Sequence, residues 1–343
     1  MDIEKLHRDI WSQPQVFLNH KDTVSSIPEK ICEVSKGNEI LLTGIATSLY
    51  ALEGMTYLLA SQKINKVFLI NTCDLLDYWY PQAEDERPLF VLSRSGESAE
   101  IIRLVNTVKS DRLIIAVTEN EDSMLARRSD MLLPFHAGEE AFPNTSSFTL
   151  SQLLSLGICY GLGYRTSADL TQILMNLVKY AEDTLSISNG VEEIGKLIAE
   201  SKGIVIEGQG HLSGIVNQYA LDFHETRMLG IPVTGGIMRH GVIELTEREG
   251  VMTLLLVPED DITLRKFKIA EELHSAGKKV AVVTDSARSI NTNIPCMRIP
   301  YPGKELEGII FTMGMQLIYE QYVINKGLSS LTPKLVGKVT AEE

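Results

Sequence analysis

The sequence has no surplus of positive charge: 32 Lys and Arg stand against 45 Asp and Glu, a net charge of −13. Polyphosphate contacts need clustered Lys and Arg, so nucleic acid is not an expected partner. An anionic small substrate stays open, because one local pocket can be positive on an acidic protein. Cysteines are few. Cys32, Cys73, Cys159 and Cys296 lie far apart with no CxxC, which excludes a disulfide framework and a zinc ribbon and fits a reducing compartment. No stretch of 18 apolar residues occurs, so no membrane span is expected. The start, MDIEKLHRDIWSQPQ, has no signal-peptide run, and the expected location is the cytoplasm. GxGxxG is missing, because GQGHLSG spaces its glycines (208, 210, 214) one residue too widely. A Walker A loop and an HExxH cluster are also missing, so no cofactor and no metal are expected. What is present is 343 residues, 44% of them apolar. That is ample core for two domains, since single cores seldom grow past about 250 residues.

The body of the chain shows one pattern twice. EILLTG (39–44) is a short apolar run ending in glycine, followed by the helical ATSLYALEGMTYLLA. GIVIEGQG (203–210) is a similar run, followed by HLSGIVNQYALDFHE. Each half later has an apolar strand closing on threonine, at Thr118 and Thr284, with spacings of 74 and 76 residues from Gly44 and Gly208. PLFVLS (88–93) and VMTLLLV (251–257) fall between them in matching places. Strand and helix alternating at equal spacing predict two tandem doubly wound α/β domains, each a parallel sheet flanked by helices. The expected boundaries are an N-terminal helical segment 1–24, a first domain 25–168, a helical linker 169–192, a second domain 193–328 and a tail 329–343. In the N-terminal segment Ile3, Leu6, Ile10 and Trp11 share a helical face, and Pro14 interrupts or restarts the helix.

Such sheets bind ligands beyond the carboxyl ends of their strands. There FVLSRSGESAEIIRLV sets Ser93, Arg94, Ser95, Gly96, Glu97 and Ser98 between a strand and a helix. Free N–H groups at a helix start, with three hydroxyls, suit a phosphate. A plain capped turn would use the same residues.

SRSGES resembles the SxSGxT/S signature of the sugar isomerase (SIS) domain. The paired halves resemble the double-SIS isomerase part of glucosamine-6-phosphate synthase and its stand-alone relatives, among them tagatose-6-phosphate ketose/aldose isomerases and amino-sugar-phosphate deaminases. IWSQP (10–14), GIATS (44–48), SMLARRSD (123–130), AGEE (137–140) and NTSSFT (144–149) resemble further family landmarks, in one order. In GIATS, Ala46 replaces the family's second glycine. The resemblance implies that Thr47, Ser48, Ser93, Arg94, Ser95 and Ser98 surround a substrate phosphate, with Arg94 either adding a charge-assisted bond or pointing to solvent.

Aldose–ketose interconversion moves a proton between C1 and C2 and needs a base, together with a group that opens the ring. On their own, Glu225 reads equally as a helix-end charge and His240 as a loop residue. The resemblance implies that Glu225, in LDFHE, shuttles the proton and that His240, in RHG, opens the ring, with Val242 where the family has proline. His224 points about 100° away from Glu225 on a helix. Lys338, before a Val-Thr pair, matches a tail lysine that contacts the sugar and forms a Schiff base, with Lys334 as its rival. The resemblance further implies a homodimer with shared sites, His240 coming from the partner. The synthase's glutaminase domain needs an N-terminal cysteine, whereas Asp2 follows Met1 here, so direct action on a phosphorylated sugar is expected. The alternatives are ammonia release from glucosamine 6-phosphate and a non-catalytic sugar-phosphate-binding module.

Overall fold

The structure is a computed structural model and describes residues 2–35, 39–79, 85–335, 337 and 339–340. Among the described residues ten strands form two sheets. The first contains β1 (Ile40–Gly44), β2 (Val67–Asn71), β3 (Leu89–Leu92), β4 (Ile114–Thr118) and β5 (Met131–Pro134) in the order β2-β1-β3-β4-β5. The second contains β6 (Gly203–Glu207), β7 (Leu229–Val233), β8 (Val251–Val257), β9 (Lys279–Thr284) and β10 (Cys296–Arg298) in the order β10-β9-β8-β6-β7. All pairings are parallel. Read from the first strand of each half, both orders are 2-1-3-4-5, so the repeat seen in the sequence is a repeat of topology. In each sheet the connections reverse direction between the first and third strands, and ligands collect at that reversal.

The central strands are predominantly apolar because helices cover both faces; β1, β3, β4, β6 and β8 are buried at every residue. The edge strands β2 and β7 are only half-buried, and β7 accommodates Pro232, which an edge tolerates.

The chain forms two compact units. One holds the second sheet with residues 1–18, 140–146 and 174–332, and the other holds the first sheet with residues 19–139, 147–173 and 333–343. This grouping crosses the boundaries expected from sequence. The N-terminal helix Asp2–Trp11 belongs with the second sheet because its buried face docks there. Asp9 Oδ2 accepts the Ala141 N–H at 2.7 Å, Ser146 Oγ donates to the Asp9 carbonyl at 2.9 Å, and His7 pairs with Glu320 at 2.7 Å. Leu6 and Ile10 are fully buried, but Trp11 is 46% exposed and lies off that face. Pro14 sits in the first turn of the next helix, Gln13–Ser35, where proline is tolerated. That helix runs on through Pro28, so no boundary falls at residue 24. Gln13, part of the IWSQP landmark, is fully buried and donates to Gln316 Oε1 at 2.5 Å, an anchoring role. Among the described residues no helix is long and apolar enough to cross a membrane.

Candidate functional site

In the first sheet the reversal lies between β1 and β3. The turns after these strands carry Thr47 and Ser48, which open the helix Thr47–Ser61, and residues 93–98, which open the helix Ala99–Thr107. Adjacent strands therefore bring all six expected phosphate residues to one edge of one sheet. Their roles differ. Ser93 is buried, and its Oγ accepts the Gly96 N–H at 3.2 Å, which shapes the loop. Ser95 Oγ accepts the Glu97 N–H at 3.2 Å. Arg94 turns aside: its Nε donates to Glu119 Oε2 at 2.8 Å and its guanidinium to the Gly138 carbonyl at 3.1 Å. Its charge is thus paired with Glu119.

Donors remain open in the same loop. Ser98 is the N-cap of its helix, yet its side chain makes no cap bond. Among the described residues nothing accepts from Ser98 Oγ, Ser48 Oγ or the Ser95 N–H. Gly96 lets the turn close, with φ +63° and a would-be Cβ only 2.3 Å from Ser123 Oγ. Thr340, in the tail, accepts the Ala99 N–H at 3.0 Å, so the tail returns to the start of this helix. Lys338 lies outside the described residues; Lys334 is exposed.

Ala46 introduces strain. It precedes the helix Thr47–Ser61 at φ 48° and ψ −121°, a region that glycine adopts freely and alanine does not. Ala46→Gly is expected to stabilise the protein by about 1 kcal/mol, after the entropy cost of glycine in the unfolded chain is subtracted. A thermal unfolding midpoint unchanged or lowered by the substitution would count against the strain.

Glu225 and His240 belong to the other unit, where they lie on opposite faces of the second sheet. Glu225, half-buried, closes the helix Ser213–Glu225. That helix packs with Lys304–Lys326: Phe223 meets Tyr319 and Tyr322, and Tyr219 donates to the Thr312 carbonyl at 2.8 Å. His240 sits in the crossover from β7 to β8. There Met238, Val242, Ile243 and Leu245 pack with Phe267 and Leu273 against the other face. Gly236 and Gly241, at φ +73° and +101°, flank the short segment that carries His240, which is exposed and has no side-chain partner among the described residues. The crossover forms a turn of 3₁₀ helix from Val242 to Glu247, which accommodates valine at that position. His224 is exposed, and its Nε2 bonds the Gly230 carbonyl at 2.7 Å.

One turn before Glu225 is an acid the sequence reading missed. Asp222 is buried, accepts Gln218 Nε2 at 2.7 Å, and is pushed well above the ordinary carboxylate range by burial, with Glu225 and Glu140 adding to the rise. Its only signal in YALDFHE was one charge inside a buried apolar stripe. Glu119, the partner of Arg94, was missed as well, because nothing local marks a contact 25 residues away. Among the described residues no group of three or more His, Cys, Asp or Glu is arranged to hold a metal.

Residues 33–157 match the SIS domain family. The glutamine–fructose-6-phosphate aminotransferase (isomerizing) of Pyrococcus horikoshii is 24% identical over 348 residues, 98% of this chain and 57% of that protein. The chain spans about half the length of the curated relatives it matches. The C-terminal domain of glucosamine-fructose-6-phosphate aminotransferase from Francisella tularensis superposes with a TM-score of 0.83 at 18% identity, covering 96% of this chain and 98% of that one. Tagatose-6-phosphate ketose/aldose isomerase from Escherichia coli gives 0.77 at 19%, covering 97% and 95%. The fold is that of tandem SIS domains.

Proposed function

We propose that this chain is a phosphosugar aldose–ketose isomerase acting on a hexose or aminohexose 6-phosphate. The observation that carries the reading is the set of open donors at the reversal of the first sheet. Ser48 Oγ, Ser98 Oγ and the Ser95 N–H sit at two helix starts, a preorganised seat for a phosphate. In this reading Glu225 moves the proton between C1 and C2, His240 assists ring opening, and Lys338 contacts the sugar. The protein acts in the cytoplasm.

The expected effect on binding is direct. Ser98→Ala should weaken a 6-phosphate ligand about 10- to 100-fold, equivalent to about 1.5–3 kcal/mol for one hydrogen bond to a charged group. Calorimetry with glucose and glucose 6-phosphate checks it; equal binding of both by the unaltered protein would remove the phosphate reading. A panel of sugar phosphates, assayed for both ketose/aldose exchange and ammonia release, separates isomerase from deaminase.

The placement of Glu225 and His240 on opposite faces of one sheet supports a homodimer in which each site takes His240 from the other copy. Glu225→Gln and His240→Ala chains, each nearly inactive, should then complement on mixing. The mixture should recover about a quarter of full activity, since half the dimers are mixed and each mixed dimer has one intact site. A monomer that turns over substrate would contradict it.

A further inference from the structure

The second sheet repeats the strand order of the first and so has its own crevice, between the carboxyl ends of β6 and β8. The loops after the third strand of each half differ. Where the first has SRSGES, the second has PEDDIT (258–263). Three backbone donors of this second loop are taken up by its own chain. The Glu259 N–H donates to Asp285 Oδ1 at 2.6 Å, the Ile262 N–H to Asp260 Oδ1 at 2.8 Å, and the Asp260 N–H to Thr263 Oγ1 at 2.9 Å.

A strand-end threonine lies beside each of the two places. Thr118 Oγ1 donates to the Arg94 carbonyl in the first half, and Thr284 Oγ1 to the Val257 carbonyl in the second. The first ties the end of β4 to the loop after β3, and the second ties the end of β9 to the end of β8. Residue 119 and residue 285, the acids that follow these threonines, then diverge. Glu119 reaches outward to the Arg94 side chain, whereas Asp285 turns in to the backbone of the loop.

The charges around the second crevice are also spoken for. Lys304 Nζ lies 3.2 Å from both oxygens of the fully buried Glu307 and 3.9 Å from Asp260. Arg288 pairs with Glu259 at 2.7 Å. His211 contacts Glu307, and burial pushes its imidazole down to about 4, so it brings no positive charge at neutral pH. Burial and the neighbouring Glu307 push Asp285 up to about 8, so it keeps a proton at neutral pH, and burial raises Glu307 as well. Beneath, Glu207 and Lys266 close the floor as a buried pair.

We propose that Asp260 and Asp285 stand where a ligand phosphate would take its hydrogen bonds, so that the second crevice excludes phosphate. These two carboxyl groups thereby determine that the sugar phosphate goes to the first half, one per chain. The assignment rests on the serine loop as the phosphate seat, and its test is independent of that reading.

The probe is inorganic phosphate, titrated by ³¹P NMR and calorimetry. The unaltered protein should take one phosphate per chain, at least 10-fold more weakly in Ser95→Ala/Ser98→Ala. Asp260→Ser/Asp285→Ser should gain a second phosphate, raising the stoichiometry from one to two. Near-UV circular dichroism reports folding; Asp260→Ser alone, at a half-exposed side chain, is the variant to use if the pair misfolds, and it should gain the same site more weakly. Two phosphates in the unaltered protein, one of them lost on Lys304→Ala, would overturn the proposal. So would a folded Asp260 variant that gains none. If the unaltered protein takes no phosphate, the serine-loop reading fails, while a gain in the Asp260 variants still decides the role of these carboxyl groups.

Discussion

Glu225→Gln should lower kcat by about 10²- to 10⁴-fold, the usual range for loss of a general base, with little change in phosphate affinity. The amide keeps the shape of the side chain and its place at the end of the helix Ser213–Glu225, but it cannot take and return a proton. Every turnover of an aldose–ketose exchange passes through that proton transfer, whichever sugar is used. Ring opening also proceeds slowly in water, so His240→Ala should retain more activity, most of all with substrates that are largely open-chain. The measurement is turnover together with solvent-deuterium exchange at C2. Exchange at the unaltered rate in Glu225→Gln would refute the assignment and favour a non-catalytic binding module.

Lys266→Met should cost about 3–5 kcal/mol of stability at neutral pH, the usual penalty for stranding one partner of a buried ion pair. Lys266 is 2% exposed, and its Nζ meets Glu207, which is fully buried at the end of β6. Burial already raises the Glu207 carboxyl above its ordinary value, with Lys266 opposing the rise. Without Lys266 it rises further. A raised carboxyl adds stability that is full below its ordinary value of 4.5 and is lost as pH climbs through the folded-state value. The deficit of Lys266→Met should therefore be smallest in acid and largest near neutrality. Glu207→Leu/Lys266→Met should recover most of the loss, since no charge is then left unpaired. Unfolding melts across pH check both; a Lys266→Met deficit below 1 kcal/mol at pH 7 would contradict the pair's importance.

The parts of the fold legible in the sequence are those whose physics is local. The runs at 39–44, 88–93, 203–210 and 251–257 became β1, β3, β6 and β8, because strands buried on both faces are predominantly apolar. β2, β5, β7 and β10 left no comparable trace; they lie outermost or are short, and half-buried strands mix polar and apolar residues. The turn at 93–98 was legible as well, since serine and glycine between an apolar strand and an apolar-periodic segment mark a strand-to-helix connection. Glu225 was not legible from its surroundings, because it closes a helix rather than following a strand, and only the family resemblance picked it out.

By itself, then, the sequence determined two doubly wound halves in matching order and a hydroxyl-rich turn after the third strand, because periodicity and turn chemistry act over a few residues. Tertiary structure alone decided which of those groups are available. Arg94 is withdrawn by Glu119, Ser93 is spent on Gly96, and Ser48 and Ser98 are left open. Tertiary structure alone also put Glu225 and His240 on opposite faces of one sheet, although only 15 residues separate them. Consecutive crossovers in a doubly wound sheet pass on opposite sides once the strand order reverses, and that reversal is fixed by which strands pair. Pairing is a long-range choice, made by burial of whole faces, and no short stretch of residues records it.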